Sequence, residues 1–582
     1  MGRVVNSESI SMHRPNTLLL IIISLFILTL LACQVGPTPM PPTETPALAT
    51  ATLAAETTEA PDPTPTATSE PPIYVYQPNP DLPLALSELV AQQALAQTQG
   101  AANESAYTFE FGDANPVGNW VYALVAPFPT VPDEVNASWL QKLWRGQPED
   151  AIQTLLVAEG DLPALINILG QPGQTVQTQA KETLLETAWT TQNTWAIIPF
   201  EEIGPRWKVL IIDGQSPIHK DFSADQYALN APISASPVEP DKNFTLPPEL
   251  AALHFSNLDS SKITTVMLTG VTALVRATAV GMDQRGILVP GEHIADIMQA
   301  ADLLHISNEV PFAEGCPPHT FGDYLVFCTP ESYMELLRSV GTDIVELTGD
   351  HFQDYGEEGM LFTLGLYAKE GWPVYGGGKN IFDAQKEVRL ELNGNKLAFI
   401  GCNAKSPNFA RASETSSGAY HCDMEAMAQA VRELKAEGYL PIVTFQHEER
   451  YLWSPNASMV EDFNIVAEAG AVIVSGSQSH VPHYAEFYGE SFLHYGLGNL
   501  FFDQYGIAPN TDIGFLDRHV FYEGRYLGVE LFPIQFIDKV QPRLMTASEK
   551  AETLTIMFDT MRMWWKDENN QAVMPAWKSI QP

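Results

Sequence analysis

The spacing of apolar positions changes along this chain, and each change predicts a different kind of element. Residues 82–97 and 137–145 carry apolar side chains at helical spacing, and a further helix is predicted over 179–188. Residues 120–126, 195–199 and 207–212 are instead short continuous apolar runs, the pattern of buried strands. Residues 232–248 interrupt the pattern with prolines and polar side chains and read as a linker. Beyond it, apolar runs at 264–270, 303–307, 343–348, 441–445 and 471–475 alternate with helical stretches. That alternation predicts βαβ units whose strands are covered on both faces. Residues 388–392 and 396–401 flank Asn393-Gly394-Asn395, where Asn-Gly tolerates the positive φ of a tight hairpin. Residues 486–488 and 492–495 make a second hairpin around Gly489-Glu490, and a helix over 548–565 closes the series.

The first 33 residues follow another rule. His13 and Arg14 precede an apolar run over 17–31, and Ala32 stands just before Cys33. The run is shorter than the ~20 residues that cross a bilayer, so residues 1–33 predict a bacterial lipoprotein signal peptide. An uncleaved signal-anchor is the alternative. Cys33 is then the acylated N-terminus, and the protein is expected at the cell membrane, lipid-anchored, on its extracytoplasmic face. Residues 34–74 are dense in Pro, Thr and Ala and cannot bury enough surface to offset chain entropy, which predicts a disordered stalk. An α/β domain over 75–245 follows, then a larger one over 254–541, then a C-terminal helix and tail over 542–582.

Charge narrows the partners. Seventy acidic residues against 31 basic ones give a net charge of −39. Such a surface repels nucleic acid, which is excluded as a partner. A polyanionic capsule polymer is an awkward ligand for the same reason, unless a cation or a local basic pocket intervenes. Past Cys33 the cysteines are Cys316, Cys328, Cys402 and Cys422, an even number in a chain expected to be exported. Two disulfides are expected; nearest-neighbour pairing would close two short loops, although sequence does not settle connectivity. No Cys-x-x-Cys spacing supports zinc.

Polar residues gather just past the predicted strands, where open α/β sheets place ligands. Asn308 and Glu309 follow one strand, Gly349-Asp350-His351 the next, and Gln446-His447-Glu448-Glu449 a third. Gly476-Ser477-Gln478-Ser479-His480 follows a fourth, and Asn499 and Asp503 come after Gly498. Carboxylate, amide and imidazole groups converging from separate strand ends can hold a hard or borderline cation and activate water.

In the first domain, Ile197-Ile198-Pro199-Phe200 and Trp207-Lys208-Val209-Leu210 resemble part of a periplasmic solute-binding protein; an accessory α/β domain is the alternative. Four blocks of the second half are more specific. Glu346-Leu347-Thr348-Gly349-Asp350-His351 with Asp354-Tyr355-Gly356 is the first, and Tyr375-Gly376-Gly377-Gly378 the second. The others are residues 471–480 and His494-Tyr495-Gly496-Leu497-Gly498-Asn499-Leu500-Phe501-Phe502-Asp503. In order and spacing these resemble the CapA-type capsule-biosynthesis proteins linked to poly-γ-glutamate. The resemblance implies a layered α/β sheet domain of the calcineurin-like metallophosphatase type and a role in capsule or envelope-polymer biosynthesis. It implies a divalent metal ion (Mn, Mg, Fe or Zn), with Asp350 and His480 as ligands. His351, Asp350 and His447 become candidate catalytic groups, and Glu309, Asn308, Gln478 and Asn499 candidate substrate contacts.

The chain departs from that pattern at several ligand positions. The family's metal-binding Gly-Asp stands here as Gly270-Val271, its Asn-Asn-His as Gly349-Asp350-His351, and its His-Trp-Gly as Gln446-His447-Glu448. Its Asn-Leu-Glu stands as Ser307-Asn308-Glu309, and its Gly-His-His-Pro-His as Gly476-Ser477-Gln478-Ser479-His480. Two expectations follow. One is a hydrolase with a reduced or single-metal site; the other is a catalytically degenerate protein that binds a polymer in the same cleft.

Overall fold

The computed structural model describes residues 73–94, 104–149, 151–238, 248–322, 324–405 and 410–564. The expected signal peptide, Cys33 and nearly all of the expected stalk lie outside the described residues. No helix among the described residues is long and apolar enough to cross a membrane.

Ile263–Thr269, Leu303–Asn308, Ile344–Glu346 and Val374–Tyr375 lie side by side and parallel. Each is a buried run, and side chains on alternate faces serve different layers. Val266 and Leu268 point to one core, and Met267 between them points to another. The sheet continues antiparallel through Ile513–Tyr522, Arg525–Phe536 and Pro542–Leu544. A second sheet has the order Val388–Leu392, Asn395–Asn403, Leu440–Gln446, Ile473–Ser477, Ser491–His494, Ala485–Tyr488. Its strands from Asn395–Asn403 to Ser491–His494 are parallel neighbours.

The sheets face each other, with Val266, Leu268 and Ile344 sharing a core with Phe399, Ile442 and Phe492. Outside the first sheet, Arg276–Arg285, Met334–Ser339 and Gly356–Glu370 pack Met282, Leu337 and Met360 onto Met267, Leu304 and Val345. On the second sheet, Met424–Ala436 and Ala457–Ala469 bury Met427, Val431, Phe463 and Val466. Helix, sheet, sheet, helix is the layered α/β architecture that the resemblance implies. Both hairpins are present, the first turning through Asn393 (φ 50°) and Gly394 (φ 81°). The disulfides join Cys316 to Cys328 and Cys402 to Cys422, the nearest-neighbour pairing.

Before these layers, Pro116–Pro127 runs between Asn230–Pro237 and Thr194–Pro199 in a separate sheet. Asn230–Pro237 corrects the linker read from residue 232 onward. Its prolines are tolerated because the residues paired on both sides are Ile233 and Ser234, so neither Pro232 nor Pro237 owes two ladders a donor. The helix expected over 179–188 is also corrected. Val176–Gln179 is a strand beside Thr154–Ala158, and the helix is Leu184–Thr190. The run 207–212 splits into Trp207–Val209 and Ile211–Ile212, which pair with different strands.

Some packing crosses the expected domain borders. Phe255–Ser256 pairs with Pro116–Pro127, and Val520, Tyr522 and Leu527 pack into the first region's core. Phe128 packs into the second with Met557, Phe558 and Met561 of the closing helix Ala547–Trp564.

One buried carboxyl in the first region makes a test of its packing. Tyr122 Oη donates to Asp161 (3.3 Å), and burial, then the nearby Glu201, push Asp161 from 3.8 up to about 7. A raised carboxyl gives its full stability below the unfolded value and loses it as pH rises through the folded one. Asp161→Asn is therefore expected to gain on wild type by roughly 3 kcal/mol between about pH 4 and about pH 8. Urea melts at both pH values check this, and a gap that does not change with pH contradicts it.

Candidate functional site

The loops that follow the parallel strands of both sheets meet at a cleft of about 310 Å³. Its walls include Glu309 after Leu303–Asn308, His351 after Ile344–Glu346, Lys405 after Asn395–Asn403, and Gln478 and His480 after Ile473–Ser477. Gly349 allows the first two loops to touch. A Cβ there would lie 2.6 Å from the Glu309 carbonyl oxygen, so only glycine lets Asp350 come beside Glu309. Gln478 has φ 71°, a left-handed conformation that costs a non-glycine residue about 1 kcal/mol.

Glu309 and Asp350 are neighbouring carboxyls with opposite tendencies. Burial, then the Asp350 charge, push Glu309 up to about 8. Burial would raise Asp350 too, but the charges of Lys405 and His351 and its hydrogen bonds hold it below the usual carboxylate range. Lys405 Nζ lies 2.8 Å from Asp350 Oδ2 and 3.8 Å from Glu449 Oε2. The Gln478 amide is assigned with its oxygen and nitrogen exchanged, which sets the oxygen 3.0 Å from Lys405 Nζ and the nitrogen 3.1 Å from Glu309 Oε1 and links the ammonium to the second carboxyl. Gln446 Nε2 donates to Asp350 Oδ1 (3.0 Å).

The two histidines of the cleft are held by different partners. His351 Nδ1 meets Asp354 Oδ2 at 2.7 Å; burial opposes its charge, yet Asp354, Glu309 and Asp350 raise it above its usual value. Asp354 Oδ2 also accepts from Phe327 N (2.8 Å), so the Cys316–Cys328 loop braces this pair. His480 Nδ1 meets Asn499 Oδ1 at 2.9 Å, which places its proton on Nδ1 and turns an accepting Nε2 toward Glu449, 3.8 Å away. Burial lowers His480, so the ring is neutral near pH 7.

A divalent ion is implied by the resemblance, and the donors can be tested for it. Ligand atoms of Glu309, Asp350 and His351 all lie within 4.8 Å of one another. Glu309 Oε2 is buried and has no partner. Two carboxylates and an imidazole suit one hard or borderline ion. His480, expected to share a metal with Asp350, is not in that group. A second ion has less to bind, because Val271 sits in an apolar cluster with Ala273, Val310, Phe327 and Phe502.

Three candidates lie elsewhere. His447 turns away, its Nε2 3.0 Å from Asp462 Oδ2 on the helix Ala457–Ala469. Alternation explains this: Gln446 at the strand end faces the site, so the next side chain faces the other way. Asn308 donates to the Val310 carbonyl (2.8 Å) and to Tyr367 Oη (2.7 Å), which makes it a brace for the loop. Asn499 reaches the site only through His480. The sequence reading missed Lys405 and Arg276. Lys405 had the same signal as the others, a polar residue just past a strand, but that strand was read as a hairpin arm. Arg276 carried no signal.

Residues 266–504 match the family model for "Bacterial capsule synthesis protein PGA_cap". The chain is 26% identical over 299 residues to the PGA biosynthesis protein CapA of Bacillus subtilis (strain 168), covering 51% of this chain and 75% of the relative. It is 22% identical over 222 residues to the capsule biosynthesis protein CapA of Bacillus anthracis, covering 38% of this chain and 53% of that relative. Among solved structures, a putative 5'-nucleotidase from Staphylococcus aureus aligns with 50% of this chain and 58% of its own, at 14% identity and TM-score 0.33. An ABC-type phosphate transport receptor from Vibrio cholerae aligns with 28% of this chain and 85% of its own, at 8% identity and TM-score 0.23.

Proposed function

We propose, from the premise that residues 266–504 form a CapA-type capsule synthesis domain, that this chain acts in the making of an envelope polymer. The PGA named for the Bacillus subtilis relative, read as the poly-γ-glutamate that the resemblance implies, is the first candidate. In this reading the chain is a surface lipoprotein, anchored through Cys33, and its cleft hydrolyses or transfers a bond of the polymer or its precursor. The meeting of Glu309, Asp350 and His351 at converging strand ends carries the reading. These three residues would hold one divalent ion (Mn, Mg, Fe or Zn), which when bound polarises a carbonyl or phosphoryl oxygen and acidifies water. His480 accepts a proton at Nε2, since Asn499 keeps the other ring nitrogen protonated. Asp354 orients His351, and Lys405 keeps Asp350 ionised.

Metal analysis of protein purified without chelator is the test. About one ion per chain is expected, and Asp350→Asn should lower its affinity at least tenfold, since a lost charged ligand is worth more than the ~1.4 kcal/mol of one decade. The second reading, a binding protein without chemistry, is favoured by Val271 in its apolar cluster. That reading is left standing if no divalent ion binds and His480→Ala changes no activity.

A further inference from the structure

Arg276 is a buried cation that makes no close ion pair among the described residues. It opens the helix Arg276–Arg285, lines the same cleft and is only 7% exposed. Its guanidinium carbon lies 5.0 Å from the centre of the Phe327 ring and 5.5 Å from that of Phe502. One Nη2 hydrogen goes to the Tyr324 carbonyl at 3.3 Å, while the buried Nε has no acceptor at all. Among the described residues no carboxylate lies within ion-pair distance of it. Asp503, beside Phe502, accepts from the backbone N–H groups of Tyr505 and Ala277 and feels the charges of Lys539 and Arg276 only from beyond ion-pair distance. The backbone of Arg276 is left-handed as well, at φ 50°.

Burying a charged fork with one carbonyl acceptor and no carboxylate in reach is costly, and in a chain with net charge −39 acidic partners are plentiful elsewhere. The Phe327 and Phe502 rings, 6.3 Å apart, hold the guanidinium from one side and leave the rest of its fork for a planar oxyanion. Lys405 and His351 line the same cleft and add positive charge there, beside the carboxyls of Glu309 and Glu449. We propose that Arg276 is the anion anchor of the cleft and receives an oxyanion of an acidic ligand, a carboxylate or a phosphate. This rests on the cleft being the functional site, but it needs neither a bound metal nor a hydrolytic step. It also supplies the local basic pocket without which an acidic polymer would be repelled.

The test is calorimetric titration of chelator-treated full-length protein with tri-γ-glutamate and, separately, with inorganic phosphate. Binding of at least one is expected, and the one that binds identifies the source of the oxyanion. Arg276→Gln should weaken it tenfold or more. Arg285→Gln should leave it unchanged, because that guanidinium already holds Asp538. If Arg276→Gln does not fold, the titration is read on Arg276→Lys, which keeps the charge but loses the fork and should bind at least threefold more weakly. Binding of neither anion, or equal binding by wild type and the Arg276 variant, overturns the proposal. Loss of metal binding alone would refute the hydrolase reading and leave this titration untouched.

Discussion

Lys405→Met is expected to raise the affinity of this protein for Mn2+ at least tenfold in calorimetric titration. The reason is competition for one carboxylate. Lys405 Nζ is 2.8 Å from Asp350 Oδ2 and 3.0 Å from the Gln478 amide oxygen, so the ammonium already occupies the cation side of Asp350. A divalent ion held by Glu309, Asp350 and His351 would have to sit close to that charge. Two unit charges about 4 Å apart repel by about 4 kcal/mol at an effective dielectric constant of ~20. Side-chain movement relieves part of this, and one decade of affinity needs only about 1.4 kcal/mol. The same substitution leaves Asp350 without its cation, so the metal-free variant should be less stable than wild type by on the order of 1–2 kcal/mol, discounted for partial exposure. Added Mn2+ should then restore the melting temperature. Equal Mn2+ affinity in both proteins would show that Lys405 does not compete for the site.

The second large effect concerns acid. Burial pushes both His519 and His483 from 6.5 down to about 3. His519 Nδ1 meets Tyr526 Oη at 2.8 Å, and the other nearby titratable ring, His494, makes a charge on it still less welcome. For a histidine kept neutral in the fold, the unfolded chain binds more protons below about pH 6.5, so stability rises with pH over the window from about 3 to 6.5. Read downward, each such histidine costs about 1.4 kcal/mol per pH unit below its unfolded value. His519→Phe removes one of them. Whatever the substitution does at neutral pH, the variant should gain on wild type by roughly 2 kcal/mol between pH 6.5 and about pH 5. Comparing the two proteins at each pH cancels the opposite slope of Asp161, which is present in both. A stability difference that stays constant over that window would mean His519 is protonated in the folded protein.

Particular residues show where sequence reading works. The hairpin at Asn393-Gly394 was legible because the turn needs two positive φ values and few other dipeptides supply them. The parallel strands were legible because burial on both faces demands an unbroken apolar run, as in Leu303–Asn308. Gln446 and His447 show the limit. Both stand at the end of one strand, and which of them faces the site depends on the pleat, which a motif does not state. Asn230–Pro237 shows another limit: two prolines signal a linker unless the neighbouring strands leave their positions unpaired on one side.

The succession of strands and helices, the strand-end clustering of polar residues and the similarity of residues 266–504 to the capsule synthesis family model were all set by order along the chain, since each depends on local periodicity or contiguous motifs. The Lys405 ammonium beside Asp350 and the Arg276 guanidinium against two rings were decided only when distant segments packed together, and the choice among cysteine pairings was likewise left to the fold. Lys405 and Asp350, like Arg276 and its rings, lie 50 or more positions apart, and the energies of such contacts depend on distance and burial, quantities that a linear string does not contain.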